Sequence, residues 1–364
     1  MEKQETESLT TIQLTVLLIN CMLGVGFLVI PRHLTAVINS PDGWISLLVS
    51  GFVVLIAVYL LFYFFYKHEV KDIIEYSELA FGSFISKVIC ILLVLYFASL
   101  IGYEAVAMSE MVRFFLLEKT PQMLVVFIII FLAAYLATKE FSTLIRVCVF
   151  FLPFCITVVI FIFFSGFEEV NINNLRPVLH HGLTPLYEGF FNTTLTYLGL
   201  ESLLVLTAFT TAKTKKVRAA TIAIGSTSLL YSITYIIVVG ALSYQEVMTL
   251  TWPTISFIQT FSIHGIFIER LDSLLLSTWI LQFFTLCAIN MFNCCYVAKK
   301  RFSIRPFYTC IAVVILALFI AYIPEDTSQI VLLSNIVDRT GLAFLIGLPL
   351  VCFLTVSIKK KVTS

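Results

Sequence analysis

The sequence predicts an all-α integral membrane protein of ten transmembrane helices, arranged as two inverted five-helix repeats whose first and sixth helices are broken. Composition is the first observation behind this. Of 364 residues, 60% are hydrophobic and 12% charged, against about 45–50% and about 25% in soluble domains. The second is pattern: ten apolar runs can be read, each near the roughly 20 residues that carry a helix across a bilayer. The third is a matched pair of interruptions, Gly24-Val25-Gly26 and Gly199-Leu200-Glu201, which lie 175 residues apart. The longest stretches between apolar runs, 67–82, 166–189 and 243–270, are too short to build a core. Residues 1–364 are therefore expected to form a single transmembrane domain. A net charge of +1 gives no basic surface for nucleic acid, so the implied partner is the lipid bilayer.

Each span is bracketed by charge. The chain opens on the polar, acidic Met1–Ser8, which lacks the basic region and small-residue cleavage site of a signal peptide, and it is expected to stay in the cytoplasm. Span 1 (11–30) ends at Arg32 outside, and span 2 (44–66) returns to Lys67 and Lys71. Span 3 (86–117) runs out to Lys119, span 4 (122–138) back to Lys139, and span 5 (141–165) out towards Arg176. These make a first repeat over 11–165. In the second repeat, 185–358, span 6 (185–210) meets the basic run Lys213–Arg218, and span 7 (217–242) leads out towards Arg270. Span 8 (270–298) ends at Lys299–Arg301, span 9 (304–323) crosses outward, and span 10 (338–358) ends at Lys359–Lys361. Sorted this way, 17 basic residues share the side of the N-terminus and six face the other. The positive-inside rule then puts both termini in the cytoplasm. Five helices per repeat is an odd number, so the second copy must be inverted.

The interruptions point to a site. Glycine weakens a helix by about 1 kcal/mol relative to alanine, and paired breaks at corresponding places in two repeats mark the midplane binding site of secondary transporters. The alternative is that these glycines are close-packing contacts between helices. After Gly26 the half-helix would present free N–H groups and a partial positive charge to the midplane, favouring an anion. Carbonyls freed near Leu198 would accept hydrogen bonds from an ammonium. A small zwitterion, an amino acid, fits both. Glu201, in the first turn after the second break, is costly in a membrane by roughly 2.5–3.5 kcal/mol. It can pair with a ligand amine, carry a proton, or cap the half-helix. Glu104 lies deep in span 3 and shares a helix face with Leu100. In span 8, Thr285 and Asn290 can line a pocket or bond neighbouring helices. The nine cysteines form no C-x-x-C pair and read as packing residues. His180-His181 lacks further ligands at metal-site spacing, so no metal and no cofactor is expected. Hydrolase and phosphate-binding signatures are missing from the sequence, so no enzyme is expected.

Several longer motifs carry a resemblance. Met22-Leu-Gly-Val-Gly-Phe27 with Pro31-Arg32, Ser40-Pro-Asp-Gly-Trp44, Met108–Glu118, Asn173-Asn-Leu-Arg-Pro-Val178, Trp252-Pro-Thr-Ile-Ser256 and Gly265–Arg270 resemble the B subunits of the Ger-type nutrient germinant receptors of bacterial endospores. The resemblance implies a fold of the amino acid–polyamine–organocation (APC) type, LeuT-like, in the spore inner membrane beside A and C subunits of the same receptor. It also implies that the chain binds a nutrient such as L-alanine and triggers germination. Carried onto this sequence, the ligand site would comprise Gly24, Val25 and Gly26, Leu100 and Glu104, Leu198, Gly199 and Glu201, and Thr285. Bulky Leu100 and Leu286 favour a small ligand. Two other functions fit the same fold: an amino-acid permease coupled to protons or sodium, and a ligand-gated path for water or ions.

Overall fold

The computed structural model describes residues 8–179, 182, 184–261 and 271–363. His180, His181, His264 and the Gly265–Arg270 motif lie outside them. Among the described residues the chain is helical with no strand. The helices are α1 (Thr11–Met22), α2 (Gly26–Ile38), α3 (Gly43–Lys67), α4 (Ile73–Phe81), α5 (Ser83–Phe115), α6 (Gln122–Ala137), α7 (Phe141–Ser165) and α8 (Thr184–Thr194). They continue with α9 (Leu203–Leu206), α10 (Lys216–Leu242), α11 (Tyr244–Thr249), α12 (Pro253–Ile258), α13 (Leu271–Phe302), α14 (Pro306–Tyr322), α15 (Thr327–Leu342) and α16 (Leu348–Thr363). Among the described residues, six continuous helical stretches are long and apolar enough to cross a membrane, and the bent pair α1/α2 makes a seventh. Three shorter apolar stretches, Gln122–Ala137, Leu200–Phe209 and Pro306–Tyr322, lie where the sequence places spans 4, 6 and 9.

Both interruptions are real breaks. α1 and α2 meet at 54°. Between α8 and α9 the chain passes through 3₁₀ turns over Leu195–Tyr197 and Leu200–Ser202, with Gly199 left-handed at φ 100° between them. α2 runs on to Ile38, past the expected end at residue 30, although Pro31 lies inside it. Proline has no N–H to give to the carbonyl four residues back. The hydroxyl of Thr254 takes that Phe27 carbonyl instead, at 3.4 Å, and the Phe27 ring stacks on Trp279 at 4.3 Å between centroids.

The last span departs most from expectation. Hydropathy places it at 338–358, but the helix starts at Thr327, runs through a short wide turn at Ala343–Gly347, and continues into α16. A cap sets the start: Asp326 accepts the Gln329 N–H at 2.8 Å. Ser334, Asn335 and Asp338 thereby become positions inside a helix, and Arg339 with them.

At the end of α13 that carries Lys299–Arg301, a polar clamp fastens α4 to α13. Asp72 is fully buried and caps α4 by accepting the Glu75 N–H at 3.0 Å. The same carboxylate accepts from Tyr296 Oη at 2.8 Å and Lys300 Nζ at 2.6 Å. Lys300 also pairs with Glu75 at 2.7 Å, and Arg301 with Glu78 at 2.8 Å. Burial works to raise the Glu75 pKa, but its bonds to Lys300 and the Lys71 amide, with both lysine charges, outweigh that and hold it below the ordinary value.

Three outcomes follow for the fold. Gly199→Ala is expected to abolish accumulation of folded protein, read as loss of the monodisperse peak after detergent extraction, because its Cβ would strike the Cys21 carbonyl. Asp72→Ala removes the acceptor shared by the Glu75 N–H, Tyr296 Oη and Lys300 Nζ and is expected to cost about 3 kcal/mol, seen as a lower thermal midpoint in detergent. With the Glu75 pKa depressed, its share of the clamp is present at neutral pH and lost as pH falls through the carboxylate range. The penalty of Lys300→Ala should therefore be larger at pH 7 than below about pH 4.

Candidate ligand site at the two helix breaks

Backbone that leaves the helical pattern inside a membrane must find partners within the protein. At the end of α1 the freed carbonyls do so across two helices. Asn20 O accepts from Gln282 Nε2 at 3.0 Å, Met22 O from Tyr231 Oη at 2.6 Å, and Gly24 O from Trp279 Nε1 at 3.3 Å. The Cys21 carbonyl packs on Gly199, so closely that a Cβ at 199 would overlap it. The backbones of the two breaks thus touch directly, and that contact explains why residue 199 is glycine.

The donor side of the first break faces α5. Val25 N–H donates to Glu104 Oε2 at 3.2 Å. Glu104 is 94% shielded from solvent, being 6% exposed, and its carboxylate lies flat against Gly24, where a Cβ would collide with it. At the second break Glu201 Oε2 accepts the Gly199 N–H at 2.6 Å. Ser202 N–H closes on Gly199 O at 3.1 Å, and Asn293 Nδ2 donates to Ser202 Oγ at 2.9 Å. Glu201 is fully buried and caps its own break.

Between the breaks lies a cavity of about 120 Å³. Cavities of roughly 150 Å³ hold a molecule the size of benzene, so the space suits a ligand of a few heavy atoms. Of the residues singled out in the sequence, Gly24, Gly26, Leu100, Glu104, Leu198 and Gly199 line it. Val25 stands behind the wall and contributes its N–H to Glu104. Glu201 also stands behind the wall. Thr285 is not brought to the cavity: its hydroxyl is used on Asn20 Oδ1 at 3.0 Å and Gln282 O at 2.8 Å. Its neighbour Leu286 takes the place on the wall.

The cavity also has walls that the sequence reading missed. Tyr103 sits beside Glu104 on α5, Thr196 precedes the second break, and His33 projects from α2. Ser334, Asn335 and Asp338 come from α15, spaced at i, i+1 and i+4 so that one helix face presents them. Tyr103 could have been found as the i+3 neighbour of Leu100. Asp338 was masked because hydropathy made it the first residue of a span. The described lining holds two carboxylates, one imidazole and neither lysine nor arginine. That balance favours a ligand bearing positive charge.

Comparison with known proteins agrees with this architecture. A family profile described as "Spore germination protein" matches residues 8–330. The chain is 37% identical to "Spore germination protein A2" of Bacillus subtilis (strain 168), covering 100% of this chain and 99% of that one. It is 32% identical to "Spore germination protein YndE" of the same organism, over 95% of each chain. Among solved structures, MhsT in complex with L-phenylalanine superposes with a TM-score of 0.71 at 11% identity, covering 98% of this chain and 89% of that one. The nucleobase-cation-symport-1 family transporter MHP1 superposes with a TM-score of 0.69 at 13% identity, covering 94% and 79%. At such identities the structural likeness speaks for the fold alone, the LeuT-like APC fold with its two interrupted helices. The profile match and the full-length relatives identify the chain as a multi-pass membrane protein of the spore germination protein family, of the B-subunit type found in Ger germinant receptors.

Proposed function

We propose that this chain is the nutrient-sensing B subunit of a spore germinant receptor, binding a small amino acid, L-alanine or similar, in the cavity between the breaks. The observation that carries this reading is the cavity itself. It joins the amide end of α2, the carboxylates Glu104 and Asp338, and a tight apolar wall of Leu100, Leu198 and Leu286. An amino acid offers one charge for each polar face and a short side chain for the wall. Ligand contact is assigned to Gly24, Gly26, Leu100, Glu104, Leu198 and Gly199, with Val25 acting through its amide. Glu201 holds the second break in shape, and Thr285 fixes Asn20. Neither is given a direct ligand contact.

On this reading the protein lies in the spore inner membrane with both termini cytoplasmic, and hands its change of state to A and C subunits. A ligand shifts such an equilibrium only through its differential affinity for the two states. Wall residues and break geometry therefore set both affinity and signal. The transporter fold of the structural neighbours favours a second reading, an amino-acid permease.

Purified protein in liposomes separates the two: saturable L-alanine binding without concentrative uptake is expected, whereas uptake against a gradient would establish a permease. Leu100→Ala enlarges the cavity and should shift the preference from L-alanine towards L-valine or L-leucine in a germination assay. Glu201→Gln keeps an oxygen for the Gly199 N–H and is expected to respond nearly normally. Glu201→Ala leaves that N–H buried and unpaired at a cost of about 1–3 kcal/mol, and should lower both the thermal midpoint and the response.

A further inference from the structure

We infer that Glu104 is a built-in competitor for the first break: its carboxylate holds the amide that a ligand carboxylate would use, and an amino acid binds by exchanging places with it. The inference rests on the reading of the cavity as an amino-acid site and specifies how that site selects its ligand.

Geometry places Glu104 where a ligand carboxylate belongs. Its Oε2 takes the Val25 N–H, and the carboxylate fills the notch left by the missing side chain of Gly24. It arrives from α5, a continuous helix 79 residues further along the chain. It is therefore not a local cap in the manner of Glu201, which serves an amide two residues away. The seat is also loose. Among the described residues the Glu104 carboxylate makes one hydrogen bond, 3.2 Å long, where charge-assisted bonds are usually about 2.7–2.9 Å. The Gly26 end of α2 opens on the cavity and would leave room even for a Cβ, so an incoming carboxylate has an approach to the same amides.

Charge then decides what can enter. A ligand with a carboxylate alone would set a second carboxyl group against Glu104, in a cavity that Asp338 also lines and whose described lining offers neither lysine nor arginine. A zwitterion carries its own remedy. As its carboxylate takes the Val25 amide, its ammonium meets the displaced Glu104, and the net charge in the cavity does not change. Glu104 thus rejects simple carboxylic acids and admits amino acids, with no cationic side chain needed on the wall.

The test is equilibrium binding of radiolabelled propionate and L-alanine to the detergent-purified full chain, wild type against Glu104→Ala and Glu104→Gln. Both variants should bind propionate at least about tenfold more tightly than wild type, with Ala showing the larger gain, and both should bind L-alanine more weakly. Gln keeps the size and an acceptor oxygen, so it decides the matter if the Ala variant does not fold. Equal propionate affinity in all three proteins would overturn the inference, whether or not wild type binds L-alanine. Propionate gained by the variants while wild type ignores L-alanine would uphold the competitor and remove the amino-acid reading.

Discussion

The structure depends on one close approach of main chain to main chain: Gly199 against the carbonyl of Cys21. Side chains cannot hold two broken helices together by hydrophobic attraction in a membrane, because lipid is as apolar as they are. What is available is close packing and hydrogen bonding. The absence of a Cβ at 199 and its left-handed backbone let the second break lie directly on the first. That contact brings the two breaks together, and the cavity lies between their half-helices.

The freed polar groups are then claimed by side chains at fixed places. Gln282 and Trp279 on α13 and Tyr231 on α10 reach carbonyls at the end of α1, while Glu104 and Glu201 answer the N–H groups. The two carboxylates play different parts. Glu201 belongs to the break it caps and is sealed away. Glu104 comes from another helix and stands at the cavity wall.

Much of this was legible in sequence for a physical reason. Glycines that break an otherwise continuous apolar run stand out, and so does a carboxylate in a membrane helix, which is why Gly24, Gly26, Gly199, Glu104 and Glu201 could be picked out. Helix-face spacing correctly joined Leu100 to Glu104. Thr285 stayed between its two readings, because a hydroxyl in a membrane helix looks the same whether it faces a cavity or a neighbouring Asn20. Asp338 was missed because the start of its helix is set by the Asp326 cap, a local hydrogen bond that an averaged hydropathy cannot register. The extension of α2 through Pro31 was likewise invisible, since it relies on Thr254 from far along the chain.

The clamp of Asp72, Glu75 and Glu78 on Lys300, Arg301 and Tyr296 gives one end of α13 a different mechanical character from its middle. Through α4 and Ser83, whose carbonyl also accepts from Arg301, that end is riveted to the start of α5. The two helices are thereby joined at that end by charged groups, whereas the middle of α13 is tied to the first break by the neutral hydrogen bonds of Gln282 and Trp279, so the end and the middle of the same helix answer differently to a change of pH.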